Sequence, residues 1–240
     1  MTFRAHCALA AAGLAALASS SSFAAITLTN GQSVNLDVVL ASNDRQVNIG
    51  DKTFTFESYT SSSFVPSTIS VTAFVSANPL QGTGFDLTGG FGDINPNDAN
   101  ISEFNVRYTV EVMPAFAALG YRITDLGLVF NGAATGTGSY ARVDESVFDV
   151  LGIPGQNLVT STSAFVYGSG TPAAQLQSAV VWGPPGYVKI EVNKDVQFFA
   201  TNNGSSSASF VRQTFSQIPT PGAMGLIGLA GMFIARRKRA

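Results

Sequence analysis

The sequence predicts an all-β protein, a single antiparallel β-sandwich of jelly-roll or Ig-like type, with a signal helix before it and a hydrophobic helix behind it. Three observations carry this expectation. Short runs of residues alternate apolar and polar with a period of two. The runs are rich in β-branched and aromatic residues, which suit a pleated, half-buried surface. Gly, Asn, Pro and Ser separate them at short intervals. The spacing fits about ten to twelve strands.

The first element is not part of that domain. Arg4 and the amino terminus supply a positive region, Ala8 to Ala18 an apolar stretch, and small residues follow. That order is the pattern of a secretory signal, and the stretch is too short for a permanent anchor. Ser22-Phe23-Ala24 gives a small-x-small cleavage site after Ala24, with Ala16-Leu17-Ala18 as a second candidate. Cys7 precedes the apolar stretch and so is not placed as a lipoprotein cysteine. Residues 1–24 are read as signal, 25–217 as an ectodomain and 218–240 as a sorting or anchoring tail.

Within the ectodomain, Val34, Leu36, Val38 and Leu40 alternate with mostly polar partners, and Phe54 and Phe56 with Thr53 and Thr55. Phe104, Val106, Tyr108, Val110 and Val112 alternate with Asn105, Arg107, Thr109 and Glu111. Such a strand has one wet and one dry face. Val188, Ile190 and Val192 repeat the pattern against Lys189, Glu191 and Asn193. Asn131-Gly132 is a hairpin signal after Leu126–Phe130, Gly183-Pro184-Pro185-Gly186 enforces a break, and Asn202-Asn203-Gly204 separates two further strands. Helix is expected only near Ala115–Leu119 or Ala173–Leu176. The runs Ser61–Ser63 and Ser205–Ser207 read as loops, and no internal repeat is present.

The tail has three parts in order. Pro219-Thr220-Pro221-Gly222 breaks any preceding element, Ala223 to Ala235 is apolar, and Arg236-Arg237-Lys238-Arg239 is basic. A helix of about fourteen residues rises roughly 21 Å, short of a hydrocarbon core of about 30 Å. The basic cluster behind it would stay on the cytoplasmic side and stop translocation. This tail resembles the PEP-CTERM sorting signal of exported bacterial proteins. The resemblance implies handling by a membrane enzyme, exosortase, transient membrane association, and release or attachment outside the inner membrane. One departure stands out: Thr220 occupies the place of the motif's Glu, which leaves open a variant sorting enzyme or a retained anchor. The middle of the chain also resembles the ectodomain of such proteins, through Gly50–Phe54, Gly89-Gly90-Phe91, Tyr108–Val112, Gly138–Phe148, Pro185-Gly186-Tyr187, Lys194-Asp195 and Phe210–Gln217. That likeness implies association with exopolysaccharide and supplies no catalytic residue.

Charge and residue counts narrow the chemistry. Outside leader and tail stand eight basic and fifteen acidic residues, a net charge of −7. Nucleic acid demands a basic face, so it is not an expected partner. The only histidine, His6, and the only cysteine, Cys7, lie in the leader. The ectodomain therefore lacks the means for Ser-His-Asp or Cys-His catalysis, a disulfide or a conventional zinc site. No phosphate-binding loop or dinucleotide fold is legible.

Four groups remain as candidates. Asp93, Asn95, Asn97, Asp98 and Asn100 present alternating oxygens of the kind calcium takes. Asp98 stands where an EF-hand wants Gly, and Phe104 where it wants a bidentate acid. An Asn/Asp turn explains the loop equally well. Asp144, Glu145 and Asp149 could supply paired carboxylates for glycoside hydrolysis, although adjacent strand residues point to opposite faces. A solvated strand edge is the plainer expectation. Lys194-Asp195 reads as a bend in a strand, with a lysine-activated nucleophile as the sharper alternative. Trp182, Tyr187 and Tyr167 could form a sugar-stacking platform against an expectation of ordinary packing. The sequence thus predicts an exported, non-enzymatic surface or matrix protein without a cofactor. A carbohydrate- or calcium-binding module is the alternative, and a carboxylate hydrolase the third reading.

Overall fold

The computed structural model describes residues 25–76, 82–93, 99–150, 157–201 and 203–219. The predicted signal and cleavage site at Ala24 lie outside these residues, as do Thr220, Pro221, Gly222 and the basic cluster Arg236, Arg237, Lys238 and Arg239. Asn95, Asn97 and Asp98 also lie outside them. Among the described residues no helix is long and apolar enough to cross a membrane.

Two sheets face each other. The first runs in the order β1 (Ile26–Leu28), β3 (Gln46–Ile49), β4 (Lys52–Ser61), β7 (Ser102–Val112), β14 (Lys189–Phe199), β11 (Tyr140–Asp149) and β12 (Leu158–Tyr167). The second runs β13 (Gln177–Val181), β9 (Asp125–Phe130), β15 (Ser205–Phe215), β6 (Thr83–Gly92), β5 (Ser70–Val75) and β2 (Ser33–Asn35), with β10 (Ala133–Thr135) also paired to β15. A small pair, β8 (Tyr121–Ile123) with β16 (Gln217–Pro219), stands apart. Among the described residues all strand pairings are antiparallel except β1 with β3. The last two long strands insert between earlier ones: β14 between β7 and β11, and β15 between β6 and β9. With β12 and β13 outermost, this is the double Greek-key winding of a jelly roll rather than an Ig order.

Alternation builds the core. In β7 the inward residues Phe104, Val106, Tyr108, Val110 and Val112 are all fully buried. Phe85 of β6 meets Phe54 edge-on at 5.2 Å, Tyr108 at 5.2 Å and Phe56 at 5.5 Å between ring centroids. A second group joins Phe64, Phe91, Phe104 and Phe198. Within the second sheet β6 and β15 approach closely: a Cβ on Gly84 would lie 1.7 Å from the Gln213 carbonyl oxygen, so only glycine fits there.

Several sequence expectations are corrected. Sixteen strands are present among the described residues, because three-residue strands line the edges. Residues Leu36–Ala41 form a short helix, α1, instead of continuing a strand. Leu36 and Val39 are buried three apart while Val38 is 51% exposed, so the helical period wins over the alternating one. The helix expected near Ala115–Leu119 is α2 (Pro114–Ala118). Ala173–Leu176 is extended, held by paired backbone hydrogen bonds between Gln175 and Phe165. Asn131-Gly132 joins no hairpin, since β9 and β10 both pair with β15. Asn131 Oδ1 instead accepts the N–H groups of Ser209 and Phe210 at 3.0 and 2.9 Å, beside the irregularity in β15. Ser205–Ser207 begin β15 rather than forming a loop, and Ser61 ends β4.

Phe85→Ala should therefore cost about 3–5 kcal/mol, the range for emptying a large aromatic site in a core. Val65→Ala, at an exposed position, should change stability by less than about 0.5 kcal/mol. Urea denaturation of both variants checks the contrast.

Candidate functional site

The alternation that fills the core leaves the outer face of the first sheet to the intervening residues. On β11 these are Tyr140, Arg142 and Asp144, and on β14 they are Asp195, Gln197 and Phe199. The register sets Tyr140 opposite Phe199, Arg142 opposite Gln197, and Asp144 opposite Asp195. On the far side of β11, Tyr167 faces Tyr140 and Phe165 faces Arg142. Four half-buried rings thus adjoin: Tyr140 lies 5.6 Å from Phe199 and 6.2 Å from Tyr167, and Phe165 lies 5.5 Å from Tyr167.

Polar groups continue the face from those rings. Arg142 Nε pairs with Asp144 Oδ2 at 2.6 Å, and Gln197 Nε2 donates to Asp195 Oδ2 at 2.7 Å. Beyond them an open groove of about 440 Å³ is bordered by Asp195, Glu103, Asn105, Thr60, Ser61 and Ser62. Arg107 closes the row, with Nε and Nη2 both donating to Glu57 Oε2 at 2.8 and 2.6 Å. The Asp195 carboxyl is held above its ordinary value, first by burial and then by the Glu103 and Asp144 charges, with Gln197 and Arg142 opposing. The face offers apolar ring surface beside hydroxyl, amide and carboxylate partners, a combination suited to sugars.

The predicted site residues distribute as follows. Asp144 lies on this face, but Glu145, its neighbour, points into the core and Asp149 ends the strand. The three carboxylates do not converge. Nor is their strand a solvated edge, because β11 is flanked by β14 and β12. Lys194-Asp195 is not a bend. Both lie within β14, Asp195 outward and Lys194 fully buried. Lys194 Nζ forms an ion pair with Glu145 Oε1 and donates to Gln213 Oε1 at 2.9 Å. Burial lowers the Lys194 pKa and raises that of Glu145, both toward the neutral form.

Trp182 and Tyr187 pack together edge-on at 6.0 Å, and Trp182 Nε1 donates to the Ile123 carbonyl at 3.0 Å. Tyr167 belongs to the other aromatic group, so the proposed trio is divided. Asp93 Oδ2 accepts the N–H of Ala200 at 2.7 Å, which ties the end of β6 to the connection after β14. Among the described residues no group of three or more Asp, Glu, His or Cys side chains is placed to hold a metal ion. Pro219 ends β16, where it pairs with Tyr121. Sequence reasoning passed over Tyr140, Phe165, Phe199 and Gln197. Their signal was available in Tyr140-x-Arg142-x-Asp144 and Asp195-x-Gln197-x-Phe199, read as outward-facing sets.

No protein-family model matches the chain, and no curated protein is similar to it. Solved structures that resemble it include TmCBM61 in complex with β-1,4-galactotriose, at 12% identity over 66% of this chain and 88% of that one, with a TM-score of 0.33. The mannan-recognising carbohydrate-binding module TmCBM27 aligns at 12% identity over 76% and 95%, with a TM-score of 0.30. The family 11 xylanase from Neocallimastix patriciarum aligns at 11% identity over 77% and 99%, with a TM-score of 0.26. TM-scores this low carry no argument about kinship or activity.

The raised Asp195 pKa has a definite sign. Its charged form is disfavoured in the folded state, so the destabilisation is full at neutral pH. It vanishes as pH falls through the raised value and below the ordinary 3.8. Asp195→Asn should accordingly raise the melting temperature at pH 7 and leave it unchanged below about pH 3.8, as a thermal series across that range would record.

Proposed function

We propose that the domain is a non-enzymatic carbohydrate-binding β-sandwich that works outside the cell, carried there by the leader and the PEP-CTERM-like tail, with exopolysaccharide as its partner. The observation that supports this reading is the row of four rings, Tyr140, Phe165, Tyr167 and Phe199, running into a polar groove on one sheet face. Sugar rings stack on aromatic surfaces, and their hydroxyls exchange hydrogen bonds with carboxylates and amides of the kind Asp195, Glu103 and Asn105 offer.

The rival reading, hydrolysis by two carboxylates, is favoured by one observation, the raised pKa of Asp195 beside Glu103 in the groove. A single panel separates the two. Binding to neutral and acidic polysaccharides, followed by calorimetry, should weaken about tenfold in Tyr167→Ala, equivalent to about 1.4 kcal/mol. It should be unchanged in Trp182→Ala. Reducing sugar released by the wild type and lost in Asp195→Asn would replace binding with turnover.

The export reading has its own measurement. Protein recovered from its native host should begin at Ala25 and stop near Pro221 by intact mass and terminal peptide mapping. Residues 222–240 still attached would make it a membrane-tethered envelope protein instead.

A further inference from the structure

The core contains a charged group that the outer face does not use. Lys194 on β14, Glu145 on β11 and Gln213 on β15 are all fully buried. Lys194 Nζ touches Glu145 Oε1 and lies 2.9 Å from Gln213 Oε1. Gln213 Nε2 donates to the Gly127 carbonyl at 3.2 Å, which turns the amide so that its carbonyl side faces the lysine. The Tyr108 hydroxyl, buried as well and close enough to feel the Glu145 charge, makes no hydrogen bond among the described residues.

An ion pair in this position is a poor stabiliser. Taking each charge out of water costs several kcal/mol, and well-packed apolar residues often serve as well or better. Chemically, however, the three groups are an amine, an amide carbonyl and a carboxyl that can carry a proton, enclosed where water does not compete. Desolvation favours passage of the proton from the Lys194 ammonium to Glu145, which frees the amine lone pair.

We propose that Lys194 and Gln213 become joined by an intramolecular isopeptide bond, with Glu145 as the proton carrier. Glu145 takes a proton from the ammonium, and the free Nζ attacks Gln213 Cδ. Glu145 then relays a proton from Nζ to Nε2 in the tetrahedral intermediate. The Cδ–Nε2 bond breaks and ammonia leaves, with one proton left on Glu145. One N–C bond forms, one breaks, and nothing is oxidised or reduced. Nζ already touches the oxygen bonded to the carbon it must reach, the close placement that makes such steps effectively unimolecular. The product would tie β14 of one sheet to β15 of the other, in an ectodomain that has no cysteine for a disulfide.

The test is the mass of the wild-type full chain, purified folded and then denatured. It should be lighter than its mapped termini require by one molecule of ammonia. Trypsin should fail to cut after Lys194, so the fragment Ile190–Lys194 is missing. A branched peptide should appear whose fragmentation places the link between Lys194 and Gln213. Lys194→Met and Glu145→Gln should both restore the full mass. A wild-type chain of full mass that releases Ile190–Lys194 overturns the proposal and leaves the ion pair as the final state. Loss of water instead, with a link from Lys194 to Glu145, overturns Gln213 as the acceptor. Ammonia lost elsewhere, as at Asn131–Gly132, leaves Lys194 cleavable and overturns it too.

Discussion

A lysine ammonium in an apolar core needs a carboxylate at the same depth, and this requirement governs how the strands of the molecule align. Lys194 stands among inward residues Val192, Val196 and Phe198 of β14, and Glu145 is its register partner on β11. A slip of one residue would turn Lys194 to solvent and bring Asp195 into the core, because strand side chains alternate faces. Gln213 extends the constraint to the second sheet, since it meets Lys194 from β15. Removing one member would strand the other charge, at a cost of about 3–5 kcal/mol. The polar contact is thus weak as a net stabiliser and strict as a selector of register.

The aromatic core and the outer face both follow from that alignment. With β7, β14 and β11 in register, Tyr108 enters the space between the sheets beside Phe54, Phe56 and Phe85. The same alignment brings Asp144 opposite Asp195, and Tyr140 opposite Phe199, on the other side. The candidate binding face is the complement of the core pattern. A group of acids that repel one another, tempered by Arg142 and Gln197, is held together by packing on the opposite surface of the same strands.

Legibility in the sequence followed the range of the interaction. Alternation from Phe104 to Val112 and from Val188 to Val192 is local; the first strand is where it places it, and the second begins just past Val188, at Lys189, and runs on to Phe199. The Leu36–Ala41 segment satisfied two periods at once, and only its contacts decided for helix. Asn131-Gly132 carried a hairpin signature, yet the amide is occupied by the backbone of β15, more than seventy residues away in sequence. Charged residues misled most. Glu145 read as a solvated edge and Lys194 as a bend, because isolated charges are costly inside and their pairing spans forty-nine residues that no local window joins. The ring row was hidden for the same reason, since Tyr140, Tyr167 and Phe199 adjoin only through strand pairing.

The winding also has a consequence in time. β14 joins β7 to β11, and β15 joins β6 to β9, so each sheet is two separate pieces until residues 189–215 take their places. A chain emerging amino end first cannot close its core while most of its length is already out. Its longest pairings form last, as high contact order requires. Until then the two halves of each sheet stay apart, and the late arrival of two strands turns them into a finished domain.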